Sequence, residues 1–300
     1  MRGKIGFGGY VRANGEVGVR DYVLALPAVV CAAQAASHAV RGLSTAVAVE
    51  HPLGCGQIGA DREQTQEVLV GVGSHPNVRG AVVLGLGCEG VPAADVAERI
   101  RRHRRPAEVV TIQAAGGTGE AAKRAHGLLQ QMEGAAAELQ ASSLKHLCLG
   151  VAKIDELGKA GEDVVAAFLA RGGRVLEIQS SGPHRVKYGE RPPRDWQRTQ
   201  VDGAVGANEA ITGMVASGAQ IVLEQGDAHY LGGHPIVPVI RIGYDETLRG
   251  ALFDDLDGMI NDRAPDEWVD WILDVANGSR TKSELSASVA FAIQRIGPTL

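Results

Sequence analysis

The sequence predicts an α/β protein: a mainly parallel, Rossmann-like sheet with flanking helices, followed by a second, smaller C-terminal α/β lobe. Three observations predict it. Short apolar runs alternate with longer Ala-rich or amphipathic segments, and strands that alternate with helices imply right-handed crossovers and parallel pairing. The apolar runs are near-continuous, as strands buried on both faces are. Aromatic residues are scarce at 4% while glycine is abundant at 40 residues, which suits tightly turned α/β units with Ala, Val and Leu cores and not a β-sandwich.

The elements follow in order. Residues 22–30 (YVLALPAVV) read as the first strand and 32–41 as an Ala-rich helix. Residues 44–50 and 80–86 are the second and third strands, with a helix over 61–74 between them that aligns Val68, Leu69 and Val72 on one face. A helix over 92–103 starts at Pro92, where the missing N–H costs little. Strand 108–113 leads into a helix over 119–138, then strand 144–152, helix 161–171 stopped at Gly172-Gly173, and strand 174–179. Residues 180–202 hold Pro183, Pro192, Pro193 and many charges, so they read as a connection. They divide the chain into a lobe over residues 1–180 and a lobe over 181–300. The second lobe holds a helix over 207–216, a strand over 220–224, a strand over 236–242 demoted to an edge by Pro235 and Pro238, and a helix over 266–277.

A formal charge of −5 argues against a nucleic-acid partner. The one basic cluster, Arg99 to Arg105, closes a predicted helix and complements its dipole. Residues 1–9 carry no apolar run of signal-peptide length, and no stretch reaches the ~20 apolar residues that span a bilayer. A cytoplasmic protein without membrane contact is therefore expected, and four cysteines in that setting are more often structural, metal-binding or catalytic than disulfide-bonded. The glycine-rich stretch from Gly3 to Gly9 does not follow a strand and is not a dinucleotide fingerprint. The turn Gly116-Gly117-Thr118-Gly119 does follow one, and reads chiefly as a tight turn.

Three cysteines share one context. Cys31, Cys55 and Cys88 each follow one of the first three strands, and in a parallel sheet the strand C-terminal ends form the edge where ligands bind. Converging thiolates are soft ligands suited to iron, zinc or an iron–sulfur cluster. The alternative is ordinary burial, since free cysteine often acts as a small hydrophobe. Cys148, placed mid-strand, is read that way. His51 stands four residues before Cys55 and Glu89 directly after Cys88, so each could orient a ligand or move a proton. Glu89 could equally be a favourable charge at a helix start, and His75, before Pro76, a cap.

These motifs resemble the altronate and galactarate dehydratase family, which also includes sulfolactate sulfo-lyase. The resemblance rests on Arg12-Ala-Asn-Gly15-Glu-Val-Gly18-Val-Arg20, Leu26-Pro27-Ala-Val-Val-Cys31, His51-Pro-Leu-Gly54-Cys55-Gly-Gln57, His75-Pro76-Asn77, Gly85-Leu-Gly87-Cys88-Glu89, Gly206-Ala-Asn208-Glu209 and the stretch over 227–233. It implies a carbon–oxygen lyase of the hydro-lyase type, or a C–S lyase, acting on a sugar acid or related hydroxy acid by β-elimination. It implies iron, as Fe2+ or a [4Fe-4S] cluster held by Cys31, Cys55 and Cys88, with zinc less expected. His51, Glu89, Lys153 and His229 are then candidates for proton transfer. Arg12, Arg20, Gln57, Asn77 and Asn208 are candidates to bind substrate, the arginines because guanidinium pairs bidentately with carboxylate. It further implies a separate small β-rich subunit, since the family's small N-terminal domain has no counterpart here, and a homo-oligomer. One departure is plain: where family dehydratases carry Cys-Gly-Gly-Ser-Asp, this chain has Val151-Ala152-Lys153-Ile154-Asp155. A non-catalytic binding or regulatory subunit on the same scaffold is the alternative reading.

Overall fold

The computed structural model describes residues 6–152, 158–178, 185–192, 197–201, 206–225 and 231–296. In chain order these form β1 (Gly6–Val11), β2 (Val17–Gly18), β3 (Tyr22–Pro27), α1 (Ala33–Ala39), β4 (Ala46–Ala48), α2 (Gly59–Gly73), β5 (Val78–Gly85), α3 (Ala93–Arg102), β6 (Ala107–Thr111), α4 (Ile112–Ala115), α5 (Thr118–Gly134), β7 (Leu139–Ser143), β8 (Cys148–Ala152), α6 (Gly158–Ala170), β9 (Arg174–Ile178), β10 (Arg185–Val186), β11 (Arg198–Val201), α7 (Ala207–Ala216), β12 (Ile221–Gln225), β13 (Val239–Gly243), α8 (Glu246–Leu252), β14 (Gly258–Met259), α9 (Pro265–Ala276) and α10 (Lys282–Leu285). No helix among them is long and apolar enough to cross a membrane.

The first parallel sheet has the order β4-β3-β5-β6. Its alternation sorts side chains to two faces: Leu24 and Leu26 join the core under α2 and α3, while Val23 and Ala25 join the one under α1 and α5. Each fully buried Leu contributes about 1.5–3 kcal/mol; the one charged residue in these two strands, Arg79 near the start of β5, is only half-buried and pairs with Asp21. The chain steps from β3 outward to β4, then crosses back over β3 to reach β5. That reversal leaves a crevice beyond the carboxyl ends of β3 and β5.

A second sheet, β10-β11-β9-β8-β12-β13-β14, is parallel throughout. It is covered by α7 on one face and by α6 and α9 on the other. A three-stranded antiparallel sheet, β2-β1-β7, flanks the two. The two parallel sheets share one continuous core through α2 and α7. These helices approach so closely at Gly71 that a Cβ there would collide with the Ala216 carbonyl oxygen.

Polar groups complete the seam. The turn at His75-Pro76-Asn77 reaches across it: His75 Nε2 donates to Ala219 O at 2.9 Å, and Asn77 Nδ2 donates to Gln220 O and Ile236 O at 3.2 and 2.9 Å. The same local geometry occurs three times. In His51-Pro-Leu53, His75-Pro-Asn77 and His234-Pro-Ile236 the ring Nδ1 accepts the N–H two residues on, closing a side-chain-mimicked turn. Arg20 bridges to the C-terminal segment through Glu284, Val275 O and Ser279 O.

Several expectations change. Sheet membership switches between β6 and β8, so β8 and β9 belong with the later strands and not with the sheet before residue 180. The glycine-rich N-terminal stretch contributes β1 itself, paired on both sides. β13 lies between β12 and β14 instead of at an edge, because Pro235 and Pro238 precede the strand and no ladder N–H is lost. The first strand ends at Pro27, and Cys31 sits in a short 3-10 turn, Val30–Ala32. Cys148 opens β8 and is buried, which pushes its thiol up to about 12.

Two measurements test this packing. Gly71→Ala should cost about 1–3 kcal/mol in urea unfolding, whereas Gly127→Ala, in open space on α5, should stabilise by up to about 1 kcal/mol. Burial holds His75 well below the usual imidazole range, with Arg191 adding to it, and pushes His234 down to about 3. Both regain a value near ~6.5 on unfolding, so the unfolded chain binds more protons in acid. Stability present above about pH 6.5 should fall by about 2–3 kcal/mol between about pH 7.5 and about pH 5.5, two groups each giving ~1.4 kcal/mol per unit. An unchanged unfolding free energy would contradict the assignment of both rings as neutral.

Candidate functional site

The carboxyl edge of the first sheet brings the three cysteine segments side by side. Cys31 follows β3, Cys55 follows β4 and Cys88 follows β5. Their backbones are joined directly: Val30 N donates to Leu53 O at 2.9 Å, and Gly90 N donates to Gly54 O at 3.0 Å. The loop carrying Cys55 thus lies against the other two, across the crevice left by the chain reversal. All three thiols are exposed. Gly54 makes this approach possible. It adopts φ +94, and a Cβ there would run into the Ala28 carbonyl oxygen.

The side chains expected to act around this edge divide into those that build it and those that face it. Gln57 is buried and fully engaged: its Oε1 accepts Gly54 N at 2.9 Å, and its Nε2 donates to Asp61 Oδ2 at 2.7 Å and Thr65 Oγ1 at 2.9 Å. It locks the Cys55 loop to the first turns of α2. His51 is buried with both ring nitrogens used, Nδ1 accepting Leu53 N and Nε2 donating to Pro27 O at 2.7 Å. Burial lowers its pKa against the opposing effect of that backbone bond, so it is a neutral brace between β3 and the Cys55 loop. Glu89 is half-buried and folds back on its own loop, accepting Gly87 N at 2.6 Å and Ala93 N at 3.5 Å. Burial alone would raise its pKa, but the backbone N–H donors, Gly87 first, outweigh it and leave it below the usual carboxylate range. A carboxylate held in this way is a weak base and a firm support for Cys88.

The expected substrate arginines are structural as well. Arg12 is buried, with Nε on Pro76 O at 2.7 Å, Nη1 on Asp21 at 2.6 Å and Nη2 on Arg20 O at 3.0 Å. Arg20 is taken up by Glu284 and three carbonyls, and Asn77 by the seam. Asn208 stands half-buried in the first turn of α7, away from the cysteine segments in the chain and on the other sheet's helix. Lys153 and His229 lie outside the described residues. Reading by residue type missed Asp61 and Thr65, the partners of Gln57. Their spacing of four residues each, on one helix face, was the available signal.

Among the described residues no three His, Cys, Asp or Glu side chains are grouped closely enough to share one metal ion. The donor set at the edge is therefore three exposed thiols on adjoining loops, with no carboxylate or imidazole completing a compact site. That set does not fit a single ion.

Residues 9–137 match the family described as D-galactarate dehydratase/Altronate hydrolase, second domain. Over 105 residues the chain is 32% identical to altronate dehydratase of Bacillus subtilis (strain 168), an alignment covering 32% of this chain and 21% of that protein. It is 34% identical over 110 residues to (2R)-sulfolactate sulfo-lyase subunit beta of Chromohalobacter salexigens, covering 37% and 28%. Over 90 residues it is 37% identical to altronate dehydratase of Escherichia coli (strain K12), covering 27% and 18%. The chain thus spans at most 28% of the length of these relatives. Residues 9–137, which carry the first parallel sheet and all three exposed cysteines, are thus similar to the second domain of the D-galactarate dehydratase/altronate hydrolase family.

Proposed function

We propose that this chain provides the cysteine-lined edge of a lyase that eliminates a β-substituent from a hydroxy acid, most simply water from a sugar acid. The observation that carries this reading is the backbone-joined trio of loops presenting Cys31, Cys55 and Cys88 at a sheet reversal. Support comes also from the named relatives, two altronate dehydratases and a sulfolactate sulfo-lyase subunit. The second name favours elimination of a sulfur group as the alternative reaction on the same edge.

In this reading the three thiolates hold iron as a cluster and not as a single ion, zinc being the poorer choice for such a set. Iron bound there would spread the negative charge that builds up when a proton α to a carboxylate leaves. The chain's own residues do the positioning. Gln57 fixes the Cys55 loop, Glu89 fixes the Cys88 loop and His51 ties the former to β3. Because His51 and Glu89 are committed to backbone groups, the proton-abstracting base is assigned to Lys153 or His229, and substrate contact to Asn208. Val30 and Ile58, 42% and 63% exposed beside Cys31 and the Cys55 loop, suit a covering partner, here a separate small β-rich subunit. A cytoplasmic location and a homo-oligomer complete the proposal.

Anaerobic purification followed by iron and sulfide analysis and an absorption spectrum tests it. Iron with matching sulfide is expected, and Cys31→Ser, Cys55→Ser or Cys88→Ser should each remove most of it. Iron and sulfide well under one per chain would overturn the cluster and leave a non-catalytic subunit. Gln57→Leu should lower activity about 10–100-fold, as the loss of a support behind a ligand does, without preventing folding. A panel of aldonates, aldarates and sulfolactate separates C–O from C–S elimination, and normal turnover by the isolated chain would remove the need for a small partner.

A further inference from the structure

The side chains that fix the cysteine loops leave two others at the same edge unspent. Arg62 stands in the first turn of α2 and is exposed. It makes no ion pair or hydrogen bond among the described residues. A Cβ on Gly90 would lie 3.5 Å from Gly54 O, 3.8 Å from Gln57 O and 3.9 Å from Arg62 Cδ. The guanidinium begins one bond beyond that carbon, so it stands where the Cys55 loop meets the Cys88 loop. At the other end of the Cys88 loop, Gly87 adopts φ +119, and a Cβ there would strike the side-chain amide of Gln113. Gln113 is exposed, and its amide makes no hydrogen bond among the described residues. Gly87-Cys88-Glu89-Gly90 is thus flanked by a free guanidinium and a free amide.

Fold stability does not explain the arginine. A cation in the first turn of a helix opposes the dipole, which already places positive charge there. The nearby carboxylates are turned elsewhere. Asp61 accepts from Gln57 Nε2 at 2.7 Å and from Ile296 N at 2.9 Å. Glu89 accepts from Gly87 N and Ala93 N. Glu63 lines a cavity with Lys187 and Tyr188 on another face of α2. The charge of Arg62 therefore stands uncompensated beside two exposed thiols.

A guanidinium so placed suits a carboxylate, since it pairs with both oxygens at once. We propose that Arg62 binds the carboxylate of the acid that enters the cysteine edge, and that Gln113, across Cys88, takes one of its hydroxyls. An amide both donates and accepts, as a hydroxyl requires. The assignment rests on the hydroxy-acid reading of this edge and names the residues that recognise the acid. The pair also sorts acids: one with a hydroxyl near its carboxylate meets both side chains, and a simple carboxylate meets Arg62 alone.

Alkylation of the full chain, reduced and stripped of metal by a chelator, tests the charge. At a given thiol, the ratio of the iodoacetate rate to the iodoacetamide rate cancels that thiol's own exposure and ionisation and reports the local field. Arg62→Gln should lower this ratio at Cys55 and Cys88 by roughly threefold or more. Arg62→Lys, which keeps the charge, should keep it. Arg41→Gln, in the turn before β4 at the opposite end of the sheet, should leave it unchanged. Turnover tests the contact. For the acid converted in the panel above, Arg62→Gln should raise KM about tenfold or more with kcat little changed, and Gln113→Leu should raise it several-fold. The unfolding midpoint of Arg62→Gln should hold or rise, because a cation leaves the helix start; a fall would mark a structural residue and overturn the proposal. An unchanged alkylation ratio or an unchanged KM in Arg62→Gln would overturn it too, and leave the lyase reading intact. Absence of iron and of turnover, with the ratio still set by Arg62, would overturn the lyase reading and leave an acid-binding edge.

Discussion

The pairing of buried backbone groups at the seam between the two parallel sheets is the constraint on which the rest depends. Helix ends and strand starts meet there, and each unpaired N–H or C=O buried from water would cost as much as a lost hydrogen bond. The chain answers with short His-Pro turns. In each, one ring nitrogen closes the local turn. In His51 and His75 the other ring nitrogen reaches a carbonyl of a different element. Proline holds the turn's backbone while giving up a donor that the turn does not need.

With the seam held, the first sheet's reversal sets the site. Because β4 lies outside β3 and β5 on the other side, the loops after all three strands crowd one edge. Hydrogen bonds between Val30 and Leu53 and between Gly90 and Gly54 turn that crowding into a defined arrangement. Three polar side chains beside the cysteines are spent on this purpose. Gln57 and Glu89 satisfy loop N–H groups, and His51 satisfies a strand-end carbonyl, which leaves the cysteines exposed at the edge.

Much of this was legible in the chain itself. Apolar runs marked β3, β5 and β8, and Cys31, Cys55 and Cys88 could be placed after three successive strands. The roles of Arg12, Arg20, Asn77 and His51 were not legible. A guanidinium or imidazole in a motif looks the same whether it faces a substrate or a carbonyl oxygen, and only the burial of Arg12 beside Asp21 and Pro76 separates the two. The thrice-repeated His-Pro pattern was visible, yet nothing local says that its ring nitrogens serve the backbone. β1 escaped because its glycines hide a strand whose partners, β2 and β7, are remote or short.

By itself the sequence determined the α/β class, the order of most strands and helices, and the placing of three thiols after three successive strands, since periodicity and turn residues are local properties. Only the tertiary structure decided which strands share a sheet, which charges are buried against carbonyls, and that Arg62 stands beside the loops of Cys55 and Cys88. Those outcomes depend on contacts between segments far apart in the chain, whose energies of burial and pairing exist only once the segments meet.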